Sequence, residues 1–197
     1  MTEAEARAWM AARYGSSVIT QVDRFADMVI AANQTQNLIA PGTIETIWAR
    51  HIVDSAQLIA HARADDQTWL DVGTGGGFPG MIVALCWPGR VVMVEPRRRR
   101  AEFLGEAVNA LALGDRASVR AVKIEAVGEQ ADVISARAVA SIEKLLQAAG
   151  RCATPKTRWI LPRGRSSNEQ DLAHLFHVEQ SATDPESRIV LIDGVGR

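Results

Sequence analysis

The chain has 197 residues, 47% of them hydrophobic and 23% charged, with a formal net charge of −1. High apolar content with little net charge excludes a mainly disordered chain, and no apolar run approaches the roughly 18 residues of a membrane span. Two cysteines, Cys86 and Cys152, are too few for a disulfide framework or a zinc cluster; Cys86 is expected in the core and Cys152 in a structural role. The length suits about one domain with a sizeable core. The start, Met1-Thr2-Glu3-Ala4-Glu5, lacks the basic-then-apolar pattern of a secretory signal, so a cytoplasmic soluble protein is expected.

The first third reads helical. Val18, Val22, Phe25 and Val29 recur on one helical face, and Ile52, Ala56 and Ile59 repeat the pattern after the Pro41-Gly42 turn. Short apolar runs then alternate with helical segments. Strands are predicted at 69–72, 91–94, 119–122, 133–134 and 159–161, with weaker candidates at 174–179 and 189–192. Helices are predicted at 80–85, with Pro79 near the first turn, at 97–112, and at 142–149, with Ser141 as cap. This alternation implies an α/β architecture, a mainly parallel sheet with helices on both faces. The last two strands lack an intervening helix, which suggests an antiparallel hairpin at one edge. Residues 1–66 are expected to cap the same globule, with the α/β body over 67–197.

Charge is distributed unevenly. Residues 1–66 carry five basic and eight acidic side chains, 67–165 carry 15 and nine, and 166–197 carry two and six. Arginine makes up 19 of the 22 basic residues. Its planar fork suits phosphate, although a GC-rich genome also favours its codons.

The sharpest local signal is Asp71-Val72-Gly73-Thr74-Gly75-Gly76-Gly77-Phe78-Pro79-Gly80, between a strand and a helix. Glycines there permit a sharp turn and close approach of a ligand to the backbone. Glu95 ends the next strand, 20 residues past Gly75, where an acid accepts hydrogen bonds from ribose hydroxyls. A nucleoside-bearing ligand follows. A dinucleotide fingerprint needs glycine where Phe78 stands, which disfavours nicotinamide cofactors. The loop, with its preceding Asp71 and following Glu95, resembles the first motif of class I S-adenosylmethionine (AdoMet) methyltransferases.

Further segments carry a closer resemblance. They are Asn37-Leu38-Ile39-Ala40, Arg50-His51-Ile52-Val53-Asp54-Ser55 and Phe78-Pro79-Gly80. With them stand the basic pair Arg99-Arg100 followed by Phe103-Leu104, then Ser135-Ala136-Arg137-Ala138-Val139-Ala140-Ser141, and Leu161-Pro162-Arg163-Gly164. In this order they resemble the RsmG (GidB) family, bacterial enzymes that methylate N7 of a guanine in small-subunit ribosomal RNA. The resemblance implies a class I, Rossmann-like fold, with a mostly parallel seven-stranded sheet, an antiparallel edge hairpin and an N-terminal helical extension. It implies AdoMet as cofactor, S-adenosyl-L-homocysteine as product, and 16S rRNA, the small ribosomal subunit or an assembly intermediate as partner.

The cofactor-binding residues expected from motif and resemblance together are Asp71, Gly73, Gly75, Gly77, Phe78, Glu95, Ile124, Glu125 and Arg137. Arg137 also stands as the residue that positions substrate against cofactor. N7 of guanine carries no proton at neutral pH, so no general base is needed and alignment can carry the reaction.

Arg97, Arg98, Arg99 and Arg100 sit at a predicted helix start, where positive charge opposes the helix dipole. RNA phosphate is one source of compensation, and pairing with Glu102 and Glu106 is the other. Arg163 and Arg165, in a stretch that also holds Arg151, Lys156 and Arg158, are further RNA-contact candidates. His51 and Asp54 share a helical face, either near the substrate entrance or in a packing hydrogen bond. No metal, no membrane association and a monomer are expected. The alternatives are a small-molecule methyltransferase on the same fold, a nicotinamide dehydrogenase, or an RNA-binding protein with a vestigial cofactor pocket.

Overall fold

Alternate residues of each strand point to opposite faces of a sheet, and here both faces are covered. The computed structural model describes residues 1–137, 141–164 and 177–195. Seven strands form one sheet: β1 (Thr68–Val72), β2 (Arg90–Val94), β3 (Ala117–Arg120), β4 (Val133–Ser135), β5 (Arg158–Arg163), β6 (His177–Gln180) and β7 (Arg188–Asp193). Their spatial order is β3-β2-β1-β4-β5-β7-β6. The pairs β1–β2, β1–β4, β2–β3 and β4–β5 are parallel, while β7 runs antiparallel to both β5 and β6. The edge hairpin therefore folds back so that its second strand, β7, inserts between β5 and β6.

One face carries Trp69, Val91, Met93, Val133, Ile160, Ile189 and Leu191. It packs against α1 (Glu3–Ala32), the segment 48–61, α3 (Gly80–Cys86) and α4 (Arg98–Ala110). The other face carries Leu70, Val72, Val92, Val94, Ile134, Trp159, Leu161, Val190 and Ile192, and is covered by α5 (Ile142–Ala149) with Val127 and Cys152. The strands read as continuous apolar runs because both faces are buried.

The N-terminal helices form part of the first layer. A capping box between Thr2 and Glu5 starts α1, and Gly15 interrupts it with φ +76°. Asn33 closes its end: the side-chain oxygen accepts from the amides of Leu38 (2.8 Å) and Ile39 (3.0 Å). The helical pattern expected around Ile52 is present but unevenly wound, with a π-helical stretch Trp48–Val53, the single α-turn α2 (Asp54–Ala56) and a 3-10 stretch Gln57–His61. The free amides at its start are capped by a distant side chain, because Glu3 accepts from Trp48 (3.1 Å) and Ala49 (2.8 Å).

Two strand boundaries depart from expectation. β3 pairs Val91 with Ala117 through Val94 with Arg120, so it begins and ends two residues before the expected 119–122. Val122 lies past the sheet and is exposed. The weak strand expected over 174–179 is β6, and residues 174–176 lie outside the described residues. Among the described residues no helix is long and apolar enough to cross a membrane.

Candidate active site

The carboxyl ends of β1, β2 and β4 converge on the glycine-rich loop. Its course is set by backbone bonds: the amides of Gly73 (2.8 Å) and Thr74 (3.2 Å) donate to the carbonyl of Val94, and those of Gly77 (2.9 Å) and Phe78 (3.1 Å) donate to the carbonyl of Thr74. Gly73, Gly75 and Gly77 all have positive φ, a backbone region that side chains disfavour.

Gly75 and Gly77 face different surroundings. A Cβ on Gly75 would meet only Gly73 O and the Arg100 guanidinium, both beyond 3.6 Å, so this face is open to a ligand. A Cβ on Gly77 would stand 2.7 Å from Phe25, 2.9 Å from Met81 and 3.0 Å from Leu104. Gly77, expected to bind cofactor, instead faces the core and permits the loop to pack on α1 and α4.

Asp71 is a second correction. It is 0% exposed, and its Oδ2 accepts from the amide of Gly80 (2.9 Å) and its Oδ1 from the hydroxyl of Ser135 (2.7 Å). Ser135 in turn accepts from the indole of Trp69 (2.8 Å). Burial raises the Asp71 pKa, against these hydrogen bonds, which hold it down. Asp71 therefore braces the loop and the start of α3 from below and presents no oxygen to a ligand. Glu95 behaves differently. It is 4% exposed, with Oε2 accepting from Gly75 (2.9 Å) and Oε1 from Arg97 (2.9 Å). Each oxygen retains a lone pair for a further donor.

Phe78, 2% exposed, is the hub between the loop and the N-terminal helices. Its ring lies 5.5 Å from that of Phe25 and 5.1 Å from that of His51, and the Arg137 guanidinium sits 5.6 Å over it. Arg137, just past β4, is thus next to the loop. Ile124 and Glu125 begin a 3-10 turn after β3; Ile124 is half-buried against the second core and Glu125 is exposed.

His51, expected at RNA, is 8% exposed and forms a wall with Phe78 and Arg137. Its Nδ1 is 3.1 Å from Arg137 Nη1, and its Nε2 is 2.7 Å from the Thr43 hydroxyl. Burial, with Arg137 and Arg50 adding to it, lowers its pKa from 6.5 to about 3. The imidazole is therefore neutral at pH 7. Asp54 sits beside it, 3.7 Å from Arg137, and its pKa is raised by burial against the pull of Arg137 and the hydrogen bond from Thr183. Burial also lowers the Arg137 pKa, while Asp54 and Asp71 hold the charge in place.

The four consecutive arginines divide. Arg97, Arg98 and Arg99 are exposed, and Arg98 pairs with Glu102 one turn on (2.7 Å). Arg100, expected at RNA, turns inward and donates to the carbonyl of Asn37 beside Gly75. It ties the start of the Asn37-Leu38-Ile39-Ala40 segment to the glycine loop. Arg163 ends β5 and is half-buried, and Arg165 lies outside the described residues. Arg158, from the same basic stretch, begins β5 at the opposite end of that strand and pairs with Asp193 (2.7 Å). Thr43, Gln57 and Thr183 also reach this wall, and nothing in the sequence pattern points to them.

The family model for rRNA small subunit methyltransferase G (GidB) matches residues 18–190. The chain is 44% identical to the ribosomal RNA small subunit methyltransferase G of Sphingopyxis alaskensis, over 99% of this chain and 87% of that protein. It is 42% identical to the protein of the same name in Erythrobacter litoralis, over 100% of this chain and 97% of that protein. The fold matches that of a methyltransferase from Geobacter sulfurreducens, with a TM-score of 0.60 and 17% identity over 88% of each chain. The seven-stranded α/β sheet with its antiparallel β5-β7-β6 edge is thus a class I methyltransferase fold. With the family model spanning most of the chain and relatives above 40% identity along its whole length, the chain belongs to the rRNA small subunit methyltransferase G family.

Proposed function

We propose that this site binds AdoMet at the carboxyl ends of β1 and β2 and directs its methyl group to N7 of a guanine in 16S rRNA, releasing S-adenosyl-L-homocysteine. The observation that carries this reading is the open face of Gly75 beside the buried Glu95 carboxylate, with the Arg137 guanidinium across Phe78.

The residues suit that cofactor chemically. Glu95 can accept from ribose hydroxyls with the lone pairs its two amide bonds leave unused. Half-buried Ile124 offers an apolar contact for a flat adenine, with Glu125 beside it. Arg137 offers a cation to a carboxylate or a phosphate, where a planar fork fixes orientation as well as charge. Residues 1–66 serve as a cap that supplies the Phe25 and His51 faces around Phe78.

When bound, AdoMet supplies an electrophilic methyl group on its sulfonium. This chain's residues then align the acceptor. The N7 lone pair needs no deprotonation, and the acid–base groups near Phe78 are engaged elsewhere. Asp71 holds Ser135 and Gly80, Asp54 pairs with Arg137, and both ring nitrogens of neutral His51 are hydrogen-bonded. This supports catalysis by approach and orientation and not by a general base. The exposed Arg97 and Arg99 have no side-chain partner among the described residues and stand available to RNA phosphate.

The test is methyl transfer from labelled AdoMet to small ribosomal subunits lacking the modification, with naked rRNA and tRNA alongside and the labelled nucleoside identified after digestion. Label in 7-methylguanosine from the ribosomal substrate is the expected result. AdoMet binding without label in any RNA would sink the RNA reading and move the acceptor to a small molecule.

A further inference from the structure

Arg137 is held by contacts that reach it from far along the chain. Thr43 donates its hydroxyl proton to the carbonyl of Ala40 (2.7 Å), so it must accept from His51 Nε2. His51 is thereby fixed as the Nε2–H tautomer, and its Nδ1 lone pair faces Arg137. Asp54 is oriented in a similar way. Its Oδ1 accepts from Thr183 (3.0 Å) and from Gln57 Nε2 (3.0 Å), which leaves Oδ2 toward Arg137.

Thr183 belongs to the turn between β6 and β7, and that turn is itself docked on the helical segment. Gln57 donates to Ser181 Oγ (3.1 Å) and accepts from the amide of Ala182 (2.7 Å), and Arg50 pairs with Asp184 (3.4 Å). The turn, the helical segment and the end of β4 thus form one connected polar frame. Its inner members, His51 and Asp54, both point at the same guanidinium.

We propose that Asp54 and His51 are positioning residues for Arg137, and that Thr183 sets the orientation of Asp54. This rests on Arg137 contacting the reactants, as proposed above. An arginine side chain has several rotatable bonds, and chemistry that depends on alignment is sensitive to displacements of about 1 Å. A lone-pair acceptor on one side and a carboxylate beside it restrict the guanidinium to one orientation over Phe78. The two residues act through Arg137 and hold no proton that the reaction needs.

A double-mutant cycle tests this on the full chain. Asp54→Asn, Thr183→Val and Arg137→Lys are made singly and in pairs. Methyl transfer to the small subunit and AdoMet affinity by calorimetry are read for each, with thermal unfolding as a folding control. Asp54→Asn is expected to lower kcat/KM about tenfold and Thr183→Val about threefold, the size of coupling usual for residues in one hydrogen-bond network. In the Arg137→Lys background both effects should vanish, whereas Glu95→Gln should still multiply there. Effects of Asp54→Asn or Thr183→Val that multiply with Arg137→Lys overturn the proposal, as does an unaltered rate in both. The Thr183→Val arm decides the matter if Asp54→Asn does not fold. Wild-type protein that binds no AdoMet and transfers no label brings down the functional reading, and this one with it; an active wild type with a multiplicative cycle brings down this one alone.

Discussion

The glycine-rich loop takes most of its bonds from Asp71 to Arg97, through backbone amides received by Asp71, Thr74, Val94 and Glu95. The wall around Arg137 is assembled from Thr43, His51, Asp54, Phe78 and Thr183, through side chains. The first is a backbone device and the second a side-chain device. Backbone donors are present whatever the residue, so the loop depends on φ angles and on two carboxylates. Side-chain donors must each be the right residue in the right rotamer, so the wall depends on the packing of three separate chain segments.

The largest effect is expected where the loop meets the core. Gly77→Ala places a Cβ 2.7 Å from Phe25 at φ +96°. Overpacking and backbone strain together should destabilise the protein by roughly 3 kcal/mol or more, read by urea unfolding. A loss under about 1 kcal/mol would mean that the loop is not pinned by packing. Next comes Glu95→Ala, which leaves the amides of Gly75 and Arg97 without an acceptor. Losing a charge-assisted bond costs roughly 1.5–3 kcal/mol, so AdoMet affinity should fall about 10- to 150-fold by calorimetry. Unchanged affinity would remove Glu95 from the site.

The wall should respond to pH through His51, in the sense opposite to the buried carboxylates. His51 has its pKa lowered from 6.5 to about 3 in the folded chain, chiefly by burial. Only the unfolded chain takes up this proton as pH drops below about 6.5, so the stability His51 confers is present above that pH and is lost toward pH 3. Asp54 and Asp71 act in the opposite sense, because their raised pKa values favour the protonated folded form on acidification. The contribution of His51 is therefore read as a difference. Wild type should lose about 2 kcal/mol more than His51→Gln between pH 6.5 and 4.5. Equal losses would show that the ring is not held neutral.

Two smaller effects sharpen the contrast further. Arg97→Ala combined with Arg99→Ala should lower the salt slope of RNA binding by about 1.5, at roughly 0.7–0.9 per phosphate contact. Arg100→Ala should act on the loop instead, lowering AdoMet affinity more than it lowers the salt slope, because Arg100 holds Asn37. An equal drop in salt slope from Arg100→Ala would return that residue to the RNA surface. Gly105→Ala, in α4 with open space at its Cβ, should stabilise the protein by about 0.5–1 kcal/mol in the same unfolding assay. No gain would mean that this helical glycine is not a simple propensity defect.

The contrast also explains what could be read from residues alone. β1, β2, the glycine loop and Glu95 were legible because apolar periodicity, glycine and one acid at a set distance all act within the short stretch from Thr68 to Glu95. The β3 boundaries were not, since an edge strand ends where its neighbour stops pairing with it. Asp71 and Gly77 were recognisable as part of the motif. Their direction was not recognisable, because burial beneath the loop depends on Phe25, Leu104 and Ser135. Thr183 carried no signal, since its partner Asp54 stands 129 residues away.

The arginine run marks the boundary between the two kinds of information. Composition and pattern determine that Arg97 to Arg100 are charged and begin a helix after the second strand. Successive residues on a helix point about 100° apart, so four in a row must face different surroundings. Which surroundings each one meets is decided by what packs beside the helix. Here the Asn37 segment lies against one side of α4 and offers a carbonyl, so Arg100 turns to the loop while Arg97 and Arg99 remain in solvent. Local chemistry determined the residue types and the elements, and only contacts between distant segments decided which side chains became structure and which remained available for a ligand.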